Sequence, residues 1–136
     1  MNRFEVKKHV TQMSMVEVQI IKMKMERSYK RKQKVRFSKH CNQRWKEKMD
    51  KGFNFKTSIM QTLTNYEIVE YKQVFFNKNE SEERVVLRSK QPFNGKNICL
   101  VYSITNKVII TLWLNSALDN YKTLRLSEYN ADMEIK

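Results

Sequence analysis

Hydrophobic and polar positions change period near the middle of the chain. In residues 35–52 Phe37 is apolar, Ser38 is a helix N-cap, and Gly52 offers a C-terminal stop. Between those marks Cys41, Trp45 and Met49 recur every fourth residue, which predicts a short strand followed by a helix with one apolar stripe. His40, Arg44 and Lys48 form a second, basic stripe one step around that helix. A further helix is expected over residues 53–66, with Ile59, Leu63 and Tyr66 on one side. From Ile68 the period becomes two. Strands are expected over residues 68–76, 84–90, 98–104 and 108–114, with an acidic solvated turn at 77–83. Asn94–Gly95 is a turn signal, and residues 105–107 make a tight hairpin connection.

Short connections between successive strands imply an antiparallel meander. Helices first and strands afterwards is the α+β pattern: N-terminal helices packed on a four-stranded antiparallel sheet in a single domain. Residues 1–33 fit both periods. Val16, Val18 and Ile20 alternate, yet Met13, Val16, Ile20 and Met23 also share a helical face, and the Glu, Gln, Lys and Met content favours helix. They are expected to form a basic N-terminal extension, helical or partly disordered, ahead of a domain at 34–136. Residues 115–136 read as a polar tail with a short apolar segment at 124–129.

Composition makes this a folding chain. Of 136 residues 40% are hydrophobic, enough for one moderate core. No apolar run is long enough to cross a membrane, and no secretory leader is evident, so a cytoplasmic setting without membrane partners is expected. Cys41 and Cys99 are too few for a disulfide framework, and Cys41 on its apolar stripe belongs to the core.

Charge changes the picture most. Thirteen Lys and Arg against three acidic residues between Lys22 and Lys51 carry +10 of the chain's +13. Such clustering is the footprint of a polyanion-binding surface. The expected phosphate contacts are Arg27, Lys30, Arg31, Lys32, Lys34, Arg36, Lys39 and Lys48.

The sequence has no metal-ligand spacing, phosphate-binding glycine loop or serine-nucleophile elbow, so no cofactor or metal is expected. Histidine, arginines and hydroxyls remain. Metal-free RNA cleavage uses such groups: a base for the ribose 2′-OH, and cations for the charge on the phosphorane. Histidine titrates near neutrality, and Arg44 and Arg88 could grip phosphate in bidentate fashion. Thr111 and Ser103 offer hydroxyls on the last hairpin.

The run 35–49, with its strand, Ser38-x-His40 and Arg44, resembles small bacterial and phage proteins of the barnase–EndoU–colicin–RelE fold, over roughly residues 34–115. Members are mostly metal-independent endoribonucleases and toxins. The resemblance implies a small endoribonuclease with His40 as general base, Arg44 beside it and a hydroxyl at Thr111; the strand pattern adds Arg88 to that expected set. RNA or a ribonucleoprotein would be its target, and an antitoxin or other acidic protein a further partner. The alternatives are a non-catalytic nucleic-acid-, ribosome- or polymerase-binding protein, or an inhibitor that binds an acidic protein.

Overall fold

A computed structural model describes residues 3–28, 36–49, 66–90, 95–116 and 125–136. In chain order the elements are β1 (Phe4–His9), a 3-10 turn (Val10–Gln12), α1 (Met15–Ser28), β2 (Arg36–Phe37), α2 (Lys39–Met49), β3 (Glu67–Asn77), β4 (Glu80–Arg88), β5 (Lys96–Ser103) and β6 (Val108–Ser116). The α+β class agrees with expectation. The sheet is larger than the expected four strands: its order is β1-β3-β4-β5-β6-β2, with five antiparallel strands and β2 added parallel to β6. The helix expected at 53–66 lies outside the described residues, apart from Tyr66, which is buried at a bend.

Pairing register sorts the strands into two faces, because directly opposed residues share a side. One face presents Tyr71, Val85, Leu87, Ile98, Leu100, Tyr102, Ile109 and Leu112. These pack with Ile21 and Met25 of α1 and Cys41 of α2 in one buried cluster. Both helices therefore cover the same face. The opposite face carries Glu70, Lys72, Glu82, Arg84, Val86, Arg88, Cys99, Thr111 and Trp113.

Residues 3–28 hold a strand as well as the helix to which their composition leaned. Phe4–His9 is an edge strand paired with β3 from Phe4↔Phe75 to His9↔Glu70, and Ile21 and Met25 of α1 pack into the core; the expected boundary at residue 33 lies outside the described residues. The local pattern cannot choose here, because alternation and helical spacing coexist in one apolar stretch. The unpaired edge of β3 decides it. At the end of α1, Ser28 Oγ donates to Met25 O at 2.7 Å and lies 2.8 Å from Tyr102 Oη, a buried polar link from helix to sheet.

The expected acidic turn is instead mostly strand. β3 runs to Asn77 and β4 starts at Glu80. Glutamates are poor strand formers, but here Glu82 and Glu83 find cations, while exposed Glu80 accepts from Asn77 Nδ2 at 3.4 Å. Glu82 is buried against Arg84 at 2.9 Å, and Glu83 meets Lys24 at 2.9 Å and accepts from Tyr71 Oη. In the β5–β6 hairpin Lys107 takes φ +57°, and its N–H donates to Ser103 O at 2.9 Å.

The C-terminal residues form a strap, where a polar tail was expected. Tyr129 Oη donates to Glu70 Oε1 at 2.6 Å on the sheet's outer face. Asn130 then bridges the free edge of β1: its N–H donates to Lys7 O at 2.6 Å, and its Oδ1 accepts from Lys7 N at 3.0 Å. Beyond it the chain reaches the helical side, where Lys8 Nζ donates to Met133 O at 2.9 Å and Ile135 is buried in the core. An edge strand left open invites foreign pairing, and the strap closes this one.

Candidate nucleic-acid interface

Helix α2 begins where the N-cap signal placed it. Ser38 Oγ accepts from Cys41 N at 3.0 Å and donates to Ile110 O, while Ser38 N donates to Ile109 O at 2.9 Å. Ser38 thus starts the helix and binds it to β6. Ser38→Ala removes both side-chain bonds and should cost about 1–2 kcal/mol, the upper range for a cap, read as a lower urea midpoint at unchanged m-value.

This start fixes which way the stripes face. Cys41 is fully buried and Trp45 half-buried against the core, so Lys39, His40, Gln43, Arg44, Lys46 and Glu47 are turned outward and exposed. Arg44 meets Glu47 at 3.6 Å with both side chains about half exposed, a loose pair worth little. Among the described residues Lys39 and Lys46 make no ion pair. On α1, Arg27 is exposed and Lys22 half-buried, and neither pairs with an acid among the described residues; Lys24 shares Glu83.

Most cations on the sheet are engaged, Lys96 at the exposed start of β5 being the exception among the described side chains. Arg84 grips Glu82 through Nε at 2.9 Å and Nη2 at 3.1 Å. Lys72 lies 3.3 Å from Glu70, and Lys7 Nζ sits 4.6 Å from the centre of the Tyr129 ring. On the helical side of β1, Lys8 pairs with Glu17 at 2.9 Å. Arg88 is buried and donates to Asn97 Oδ1 at 3.1 Å and Ser116 O at 2.8 Å. Asn97 in turn donates to Ser89 O at 2.7 Å.

The four residues expected to act together are therefore separated. His40 and Arg44 face outward on the helical layer; Arg88 and Thr111 belong to the opposite face of the sheet. Thr111 is half-buried and pairs with Val101. The correction follows from strand parity: Thr111 and Leu112 point to opposite sides, and Leu112 faces α2's side of the sheet. Ser103, also considered for its hydroxyl, is fully buried on that outer face. Of the expected phosphate contacts, Arg27 and Lys39 are exposed. Arg36 pairs with Val108 in β2, and Lys48 lies in α2. Lys30, Arg31, Lys32 and Lys34 lie outside the described residues. Lys46 belongs with the exposed set and Lys22 with the unpaired cations, although it is half-buried; the charge count contains both, and only helix phase shows where they lie.

Two titratable groups are tuned by their surroundings. Burial holds the His9 imidazole below its ordinary value, with the Glu70 carboxylate pulling the other way. Burial would raise the Glu17 carboxyl, but donation from Ser14 N–H, Lys8 and Ile135 N–H brings it below its usual value. Both serve the packing around the strap. No cluster of three or more His, Cys, Asp or Glu among the described residues is placed to hold a metal ion. No helix among them is long and apolar enough to cross a membrane. Comparison with protein-family models, curated proteins and solved structures finds no match to this chain.

Proposed function

We propose that this protein binds nucleic acid, RNA in the first instance, through the phosphate backbone and along its helical layer. One observation carries the reading: Lys7, Lys8, Lys72, Arg84 and Arg88 of the sheet are held by internal partners and Lys96 is its one exposed, unpaired cation among the described side chains, whereas Lys22, Arg27, Lys39 and Lys46 on the two helices have no ion-pair partner among the described residues. A cation held by a carboxylate gains little from a phosphate; an unpaired one releases a counterion and contributes fully. Both helices cover one face, so these charges form one surface.

His40 is exposed beside Arg44 and contributes a polar contact on that surface. The separation of His40 and Arg44 from Arg88 and Thr111 favours binding without strand scission over the endoribonuclease reading. A labelled single-stranded RNA should bind with affinity falling steeply between about 50 and 200 mM salt, with a log–log slope of roughly −3 or steeper if four phosphates are engaged. The RNA should be recovered intact, and His40→Ala should bind within about twofold of the parent. Cleavage that persists in EDTA and disappears in His40→Ala would restore the nuclease; a salt-independent affinity would remove the phosphate surface.

A further inference from the structure

Between α1 and the end of the sheet where β3 begins lies a cleft of about 290 Å³. Its apolar walls are Val10 of the 3-10 turn, Val18 of α1 and Ile68 of β3. Lys22, one turn along α1 from Val18, and Lys90, just past the end of β4, add two ammonium groups. Lys22 is half-buried and Lys90 exposed, and neither pairs with an acid among the described residues. Glu67 also borders the cleft. Its partner across the ladder is Arg88, so its side chain belongs to the sheet's other face.

Tyr66 sets the cleft apart from an ordinary surface hollow. It lines the cleft and is only 7% exposed, yet its hydroxyl has no hydrogen-bond partner among the described residues. Other buried phenols are matched: Tyr71 reaches Glu83, Tyr102 meets Ser28 and Tyr129 reaches Glu70. Burial alone pushes the Tyr66 hydroxyl up to about 12, so near neutral pH it is an uncharged donor and acceptor. A buried polar group without a partner costs free energy, and a ligand atom in the cleft recovers it.

We propose that this cleft takes one nucleobase together with its adjoining phosphate, presented by a bound RNA strand. The base lies against Val10, Val18 and Ile68, a polar atom of its edge meets the Tyr66 hydroxyl, and the phosphate meets Lys22 and Lys90. The inference rests on the RNA reading above and adds base preference to it: phosphate contacts position a strand, and base contacts specify it. The volume is at the lower end for ligand pockets, about 300–1,000 Å³, which suits one ring system and not a large cofactor. Inorganic phosphate would use the lysines alone. An aliphatic carboxylate would use the lysines and the walls but leave Tyr66 unmatched. A base with its phosphate satisfies all three. Lys22 belongs to both surfaces, so the base enters where its phosphate is already held.

The test follows the NMR methyl signals of Val10, Val18 and Ile68 in the full chain while each nucleoside 5′-monophosphate, and separately inorganic phosphate, is titrated in. At least one nucleotide should shift these signals saturably, and inorganic phosphate should not. RNA homo-oligomers should bind in the same order as their nucleotides. Tyr66→Phe should reduce the preference by about three- to tenfold, the scale of one hydrogen bond, at an unchanged salt slope. It should melt no lower than the parent, because the lost hydroxyl has no partner among the described residues. Lys90→Gln should make the salt slope shallower by about 0.7 and keep the preference. Methyl signals unmoved by every nucleotide, an equal response to inorganic phosphate, or a preference intact in Tyr66→Phe would overturn the base site and leave the phosphate surface standing. Saturable nucleotide shifts in a protein that binds no RNA would support the cleft as a site for free nucleotide and remove the function proposed above.

Discussion

Glu17→Ala is expected to lower stability by about 3 kcal/mol, roughly 10 °C in melting temperature for a chain of this size. Glu17 is a hub. Its Oε1 accepts from Lys8 Nζ at 2.9 Å and from Ser14 N at 3.0 Å; its Oε2 accepts from Lys8 Nζ at 3.0 Å and Ile135 N at 3.1 Å. The two side chains of the pair are only 8% and 15% exposed. Truncating the carboxylate strands a largely buried ammonium and releases the strap's last anchor. Removing one partner costs more than removing both, so Lys8→Met with Glu17→Leu should retain more stability than Glu17→Ala.

The same hub predicts a pH dependence. The Glu17 carboxyl is held below its unfolded value of 4.5, so its contribution is complete above that pH and fades as pH falls through it. His9 acts in the same direction from a higher starting point. Its folded value lies below 6.5, so the unfolded chain takes up a proton first and stability declines as pH drops below 6.5. Urea titrations from pH 7 to about pH 3 should show stability falling first below 6.5 with His9 and then below 4.5 with Glu17, the second fall being shallower in Glu17→Ala. Parallel curves would place the acid sensitivity elsewhere.

Replacing Lys22, Arg27, Lys39 and Lys46 together with glutamine is expected to weaken RNA binding at least about a hundredfold near 0.1 M salt. The log–log salt slope should become shallower by roughly 3, at about 0.7 per phosphate contact on a single strand. Stability should stay within about 1 kcal/mol, because Arg27, Lys39 and Lys46 are exposed and none of the four makes an ion pair among the described residues. Reversing the same number of charges at Arg84, Lys72 and their neighbours is not equivalent, because it would break internal pairs and confuse folding with binding. A quadruple variant that binds RNA as the parent does would refute the helical layer as the interface.

Much of the central architecture is legible locally. Ser38 announces a helix start because its hydroxyl has donors within three residues, and those donors are supplied by the helix itself. The alternation through Ile68–Phe76 and its successors marks strands because one sheet face meets a core. What escapes local reading is every feature whose partner is distant in sequence. Glu83 resembles a turn residue until Lys24 and Tyr71 are placed beside it. Tyr129 and Asn130 resemble a tail until Glu70 and Lys7 appear across 59 and 123 residues.

The candidate site divides along the same line. Sequence by itself determined that positive charge is concentrated in residues 22–51 and that α2 turns Cys41 inward and His40 outward, because charge and helical phase are properties of neighbours along the chain. Only the tertiary structure decided that Arg88 and Thr111 lie across the sheet from His40, since that depends on which edge α2 crosses and which strand parity faces it. Tertiary contacts also decided which cations are already paired: Arg84, Arg88, Lys72 and Lys8 find partners inside the fold, whereas four lysines and arginines of the helices find none among the described residues. A charge's sign is written in its side chain, but its availability depends on what the folded chain brings within about 4 Å of it.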